Sequence, residues 1–276
     1  MEENGAFRQP TTVLKSRENP AIKRYSKLVS SRRERDESSL FVIEGVRLCT
    51  EALDWDVGME TAFITEACRH KHPALFERLE RLSIQLYYID DRLAGKLSDT
   101  RTPQGIFCIC RKPDHSPDVD MILRKRCWIL LAGIQDPGNL GTMLRTAEAL
   151  GIDGVILSNH CCDLYGPKTV RATMGALFRL PVLETANGAS FLASLGDRAV
   201  TYAAVVDPTA ESSSEAAKAA HSDDRPTIVC IGNEGNGLPQ ELIDACDRRI
   251  TIRMKGRAES LNAAMAAGIL MWEFCS

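Results

Sequence analysis

Three separated polar segments carry the side chains that could do chemistry. QDPGNLGTMLRTAEALG (135–151) sets Asn139 and Arg145 across a turn-to-helix junction. GNEGNGL (232–238) holds Glu234 among three glycines. A third polar run closes on Glu259, Ser260, Leu261 and Asn262. Glycines permit positive φ and let backbone groups approach a ligand closely, so a nucleotide-like ligand held by the main chain fits the second segment. Its GxxGxG spacing is not the GxGxxG of a dinucleotide fold, and neither it nor the third run has the GK[ST] of a phosphate-binding loop. Tight turns are the plainer alternative. Arg145 and Glu148 stand three apart on one helix and can pair. An exposed pair of that kind contributes little.

Strands must deliver these loops. TIVCI (227–231) is β-branched and apolar, suits a buried strand, and stops at the glycine loop. Pro239 fits the first turn of a helix, QELIDAC. ITIRM (250–254) reads as the next strand and KGRAES (255–260) as a loop, with Ser260 the N-cap of the helix LNAAMAAGILMWEF. Upstream, CWILLAGI (127–134) is a buried strand, QDPGN a turn, and LGTMLRTAEALG a helix closed by Gly151. GVILS (154–158) and TYAAVVD (201–207) are further strands; residues 207–226 read as a polar excursion with at most a short helix. Loops that follow strands lie where parallel α/β sheets bind ligands.

Strands alternate with helices over residues 40–110 as well, which indicates a second, smaller α/β domain. The expected organisation is a flexible tail over 1–14, a first domain over 15–111, a linker over 112–120 and a second domain over 121–276. From Lys15 to Arg35 eight basic residues, Lys23, Arg24, Arg32 and Arg33 among them, face only Glu18 and Glu34. With Tyr25 as a stacking side chain, that run is a phosphate footprint; a solvated helix face is the alternative. The whole chain carries a net charge of −3, so it is not a simple basic nucleic-acid binder.

A hydrophobic fraction of 44% and a charged fraction of 26% are those of a globular protein with a full core. No apolar run approaches the roughly 20 residues that span a bilayer, and the first residues lack the apolar core of a signal peptide. A cytoplasmic location is expected. The ten cysteines form no CxxC pair. His160-Cys161-Cys162-Asp163 has metal-ligand chemistry but no second cluster to complete it, so reduced, mostly buried thiols and no metal are expected.

In order, NLGTMLRTAEALG, IGNEGNGL and ITIRMKGRAESLNAAMAAGI resemble the three signature motifs of the SpoU, or TrmH-like, RNA 2′-O-ribose methyltransferases. SRENPAIKRYSKL, FVIEGVRLCTEAL and TPQGIFCI resemble that family's ribosomal-protein-like substrate domain. The resemblance covers most of residues 15–275. It implies a C-terminal parallel-sheet domain tied in a trefoil knot, contrary to the general rule against knots. It also implies a homodimer whose last helix packs through Ala263, Ala264, Ala267 and Gly268. S-adenosylmethionine would lie against Gly232, Ile252 and Leu261. Asn139, Arg145, Glu234, Ser260 and Asn262 would be the catalytic set. The reaction would be transfer of a methyl group to a ribose 2′-hydroxyl, with ribosomal RNA favoured over transfer RNA. Arg145 is expected to grip the phosphate and stabilise the developing alkoxide, because a guanidinium stays protonated. Arg253 departs from the family pattern, standing where many relatives have proline. A non-catalytic RNA-binding or assembly protein of the same fold is the alternative reading, and a dinucleotide-dependent enzyme a weaker third.

Overall fold

The computed structural model describes residues 13–113, 118–158, 160–233 and 235–275. The chain divides into two compact units after Pro113. Of the tail expected over residues 1–14, residues 1–12 lie outside the described residues, as does the middle of the expected linker, 114–117.

In the first unit, Val13–Leu14 forms a short strand, β1, rather than the end of a tail. It is followed by β2 (Leu40–Glu44), β3 (Met59–Thr65), β4 (Gln85–Ile89) and β5 (Ile106–Arg111). The five-stranded sheet runs β1-β4-β3-β5-β2. β4 is parallel to both neighbours, and β5 is antiparallel to both of its own. The start of the helix Pro20–Ser30 is fixed by local chemistry. Asn19 Oδ1 accepts from Ala21 N at 2.9 Å, and Pro20 occupies the first turn. Ile22, Tyr25 and Leu28 share one face at helical spacing and are buried with Phe63, Phe107 and Ile109.

The expectation of Tyr25 as a stacking side chain changes here. Tyr25 is 2% exposed, with its ring edge-on to Phe63 and Phe107 at 5.8 Å each. It is a core residue, and burial of such a ring stabilises by about 1.5–3 kcal/mol; it presents no face for stacking on a base. The basic run is also two helices. Ser31 is extended (φ −123°, ψ 113°) and its Oγ accepts from Glu34 N at 3.2 Å, capping a second helix, Arg32–Ser38. The Ser-x-x-Glu spacing is the sequence signal for that start. Arg35 is 5% exposed and donates to the carbonyls of Leu28 and Val29, clasping the two helices together.

The second unit opens with the helix Val119–Leu123, capped by Asp118. Its strands are β6 (Cys127–Ala132), β7 (Gly154–Ser158), β8 (Val182–Glu184), β9 (Val200–Ala204), β10 (Glu211–Ser212), β11 (Thr227–Ile231) and β12 (Arg248–Thr251). They form one sheet, β10-β12-β9-β11-β6-β7-β8, and its pairings are parallel. β6, β7 and β11 are buried along their whole length, as strands covered on both faces by helices must be. The polar excursion is more ordered than sequence suggests. It supplies β10 and the helix Ser213–His221, whose Ala216, Ala217 and Ala220 are buried.

The last helix, Ala263–Cys275, packs on the helices Pro137–Ala149 and Ser213–His221 and against β6 and β11. Pro137–Ala149 in turn lies directly on the helix Pro167–Thr173. A Cβ on Gly141 would come 2.3 Å from that of Ala172, so only glycine allows the approach. The expectation of uniformly reduced cysteines is corrected at one pair. Cys127, at the start of β6, and Cys275, at the end of the last helix, form a disulfide with Cα atoms 6.3 Å apart. A separation of 148 residues hides such a pair from any local reading. Cys49, Cys68, Cys108, Cys110 and Cys230 are buried free thiols.

Candidate active site

The register of the sheet gathers the three polar segments at one edge. Ile231 pairs with Leu131, so the loops after β6 and β11 leave side by side. β9 separates β11 from β12, and all run the same way. The loop after β12 therefore emerges at that edge too.

Asp136 caps the helix Pro137–Ala149 through Asn139 N, 2.7 Å from Asp136 Oδ1. Asn139 Oδ1 accepts from Asn262 Nδ2 at 3.3 Å across 123 residues of sequence. Asn262 is held from its other side as well, because its Oδ1 accepts from Ala264 N at 3.0 Å and Met265 N at 3.3 Å. Asn262, not Ser260, thus caps the last helix, which starts at Ala263. Ser260 stays on the exposed loop before it.

Arg145 lies about 9 Å along the same helix from Asn139, at 1.5 Å per residue. It is exposed, and among the described residues no hydrogen bond or ion pair engages its guanidinium. The pairing with Glu148 that the sequence allows is not made. Glu148 Oε1 accepts instead from Arg179 Nε at 2.8 Å.

The glycine loop is closed by its own main chain. Asn233 and Gly237 exchange backbone hydrogen bonds, 3.3 Å and 3.0 Å. Asn233 Oδ1 accepts from Gly235 N and Asn236 N, both at 2.8 Å. Of the three glycines only Gly237 has positive φ, +65°. Gly232 is required for a different reason: a Cβ there would stand 2.1 Å from Gly237 C and 2.3 Å from Leu238 N. Ile252 and Leu261 are half-buried on the loop after β12, which ends at Thr251 rather than running on as ITIRM. Glu234 lies outside the described residues.

Arg253 has a task that the sequence did not disclose. It donates to Pro208 O at 2.6 Å and Ala210 O at 3.2 Å, binding the loop after β12 to the loop after β9. Proline at this position could donate neither bond. At the end of β6, the Cys161 thiol donates to Leu131 O and Ser158 O, both at 3.3 Å, and burial pushes it up. Burial likewise pushes the Cys162 thiol up to about 11. Among the described residues no three His, Cys, Asp or Glu side chains gather as a metal site.

In the first unit, each basic residue expected to meet RNA already faces a carboxylate. Lys23 pairs with Glu18, Arg24 with Glu60 at 2.9 Å, Arg32 with Asp36 at 3.5 Å and Arg33 with Glu37 at 2.6 Å. Asp36 and Glu37 stand just past the window in which only Glu18 and Glu34 oppose the positive run. Glu60 comes from β3, where no sequence window would count it.

Known families match both units. The model of the SpoU rRNA Methylase family matches residues 126–272, and that of the MRM3-like substrate binding domain matches residues 19–108. The chain is similar to the 23S rRNA (guanosine(2553)-2′-O)-methyltransferase RlmP of Bacillus subtilis, 31% identical over 94% of this chain and 97% of that one. It is 30% identical to the mitochondrial rRNA methyltransferase 3A of Danio rerio, over 91% of this chain and 67% of the relative. Among solved structures, it resembles the AdoMet-bound rRNA methyltransferase from Sinorhizobium meliloti, with a TM-score of 0.80, 27% identity and 95% and 97% coverage. The AviRb methyltransferase of Streptomyces viridochromogenes in complex with AdoMet gives a TM-score of 0.79 at 26% identity, with 93% and 97% coverage.

Proposed function

The chain belongs to the SpoU rRNA methylase family, and on that premise we propose that it transfers a methyl group from S-adenosylmethionine to a ribose 2′-hydroxyl of ribosomal RNA. The observation that carries this reading is the Asn262–Asn139 hydrogen bond, which joins the last polar loop to the helix bearing the open Arg145. The close approach of the Gly237 and Leu238 backbone to Gly232, which leaves no room for a Cβ, gives the donor a fixed main-chain wall to lie against. Gly232, Ile252 and Leu261 would hold that donor. When bound, it supplies a sulfonium methyl whose leaving group is already good.

The chain's own residues would then handle charge and position. Transfer of the methyl group to the ribose oxygen would release the hydroxyl proton, which would pass to solvent water. The guanidinium of Arg145 is no base for it. Its guanidinium grips the neighbouring phosphate and stabilises the oxygen as it becomes anionic. Asn139 and Asn262 fix the ribose side, Ser260 steadies the loop, and Glu234 orients Arg145.

Titration with S-adenosylhomocysteine, followed by mapping of ribose methylation on rRNA, tests the reading. Micromolar binding and one new 2′-O-methyl mark are expected. RNA binding with no affinity for the donor would leave a non-catalytic RNA-binding protein.

The same reading includes a trefoil knot, a homodimer and a working place with the ribosomes, which we take to be the cytoplasm. The knot is supported by the return path after β12. That strand lies beyond β9, yet the next helix packs over β6 and β11. A crystal structure whose C-terminal end could be drawn out without passing a loop would remove it. For the dimer, the small residues Ala263, Ala264 and Ala267 are not available, being buried within the chain. Met265 and Trp272, two turns apart on the outer face, are 63% and 62% exposed and form the more suitable contact. The double substitution Met265→Glu, Trp272→Glu is expected to convert a dimer to monomer in sedimentation; an unchanged mass would exclude this face.

Lys23, Arg24, Arg32 and Arg33 remain the proposed RNA contacts. Exposed ion pairs are worth about 0–1 kcal/mol, so their carboxylates can yield to phosphates. Neutralising all four should weaken RNA binding and lower its salt slope, by about 0.7–0.9 for each phosphate no longer neutralised, without changing donor affinity. An unaltered slope would take this surface out of the reading.

A further inference from the structure

Arg145 and Glu148 are three residues apart on one helix, where side chains of opposite charge are neighbours about 5–6 Å apart at Cβ. Left to themselves they would pair. The structure has Glu148 turned to Arg179 instead, in a half-buried ion pair of 2.8 Å with side-chain exposures of 31% and 18%. Arg179 is well placed to keep that hold. It follows the short helical turn Ala176–Phe178, whose residues are buried, and its N–H donates to Ala176 O at 3.1 Å. That turn packs on the helix carrying Glu148 and Arg145.

We propose that Arg179 is a positioning residue for the methyl transfer, which holds the Glu148 carboxylate away from Arg145 and so keeps the Arg145 guanidinium open for the RNA. The proposal rests on the role given to Arg145 above. Its physical basis is competition. A half-buried carboxylate without a partner is costly, so loss of Arg179 sends Glu148 to the nearest cation on its own helix face. That cation is Arg145. Once paired, the guanidinium offers fewer donors to a phosphate and less net charge to a developing alkoxide.

A plain bolt between helix and turn would give the same contact, and a set of variants separates the two roles. Methyl transfer to rRNA and S-adenosylhomocysteine affinity would be measured for Arg179→Met, Glu148→Gln and the pair combined, each with a thermal melt. Arg179→Met is expected to lower kcat/KM on the order of tenfold or more while donor affinity stays within about twofold. Glu148→Gln alone is expected to stay within about threefold of wild type, and adding it to Arg179→Met should restore activity to that level. A double variant as impaired as Arg179→Met would overturn the proposal. So would a tenfold loss in Glu148→Gln alone, which is decisive even if Arg179→Met fails to fold. Failure of the methyltransferase reading itself would show earlier, as a wild-type protein that neither binds the donor homologue nor methylates RNA.

Discussion

Arg145→Ala is expected to cut methyl transfer by on the order of 100- to 1000-fold while leaving S-adenosylhomocysteine binding within about twofold, the loss that follows removal of one donor aimed at a developing oxyanion. The two readouts should separate because Arg145 sits on the helix after β6, whereas the proposed donor loops follow β11 and β12. Arg145→Lys restores the charge but not the planar fork and should recover only part of the rate. Full turnover in the lysine variant would show that a point charge suffices and that no bidentate grip is made. Full turnover in the alanine variant would remove Arg145 from the chemistry. The exposed position and open guanidinium also make the substitution mild for the fold, so a large rate effect could not be ascribed to unfolding.

Gly232→Ala is expected to lower S-adenosylhomocysteine affinity by more than tenfold and to destabilise the protein by about 1–3 kcal/mol. The added methyl would lie 2.1 Å from Gly237 C and 2.3 Å from its oxygen, and backbone cannot swing aside as a flexible side chain would. The bridge between Asn233 and Gly237 must then open, and the donor's backbone partners move with it. Gly235→Ala is the control in the same loop. Among the described residues its Cβ would meet only Asn233 Oδ1, at an ordinary 3.5 Å, and affinity should change less than threefold. Equal losses in the two variants would mean that loop flexibility, not the close approach at Gly232, governs binding.

Arg253 shows how a departure from a family pattern becomes intelligible only in three dimensions. Its type alone assigns it no partner. Its two bonds to Pro208 O and Ala210 O instead join two loops at the proposed donor edge. Val206, 73% exposed, lies on the loop it holds.

By itself the sequence determined the repeating elements and the three polar segments. β6 is written in an apolar run, β11 in an apolar and mostly β-branched one, and the helix start at Asn19-Pro20 in local capping chemistry, whereas QDPGN, which reads as a turn, already holds the Asp136 cap and the first turn of the helix Pro137–Ala149. Such signals act between near neighbours, so a linear reading finds them. Ser31-x-x-Glu34 was a signal of the same kind, masked by the continuous positive charge around it. Only the tertiary structure decided which side chains meet. Tyr25 chose the core over solvent because Phe63 and Phe107 stand above it. Asn139 met Asn262, Glu148 met Arg179 rather than Arg145, and Cys127 met Cys275. Each choice is a competition between partners, settled by distances across the folded sheet, and spacing along the chain carries no record of those distances.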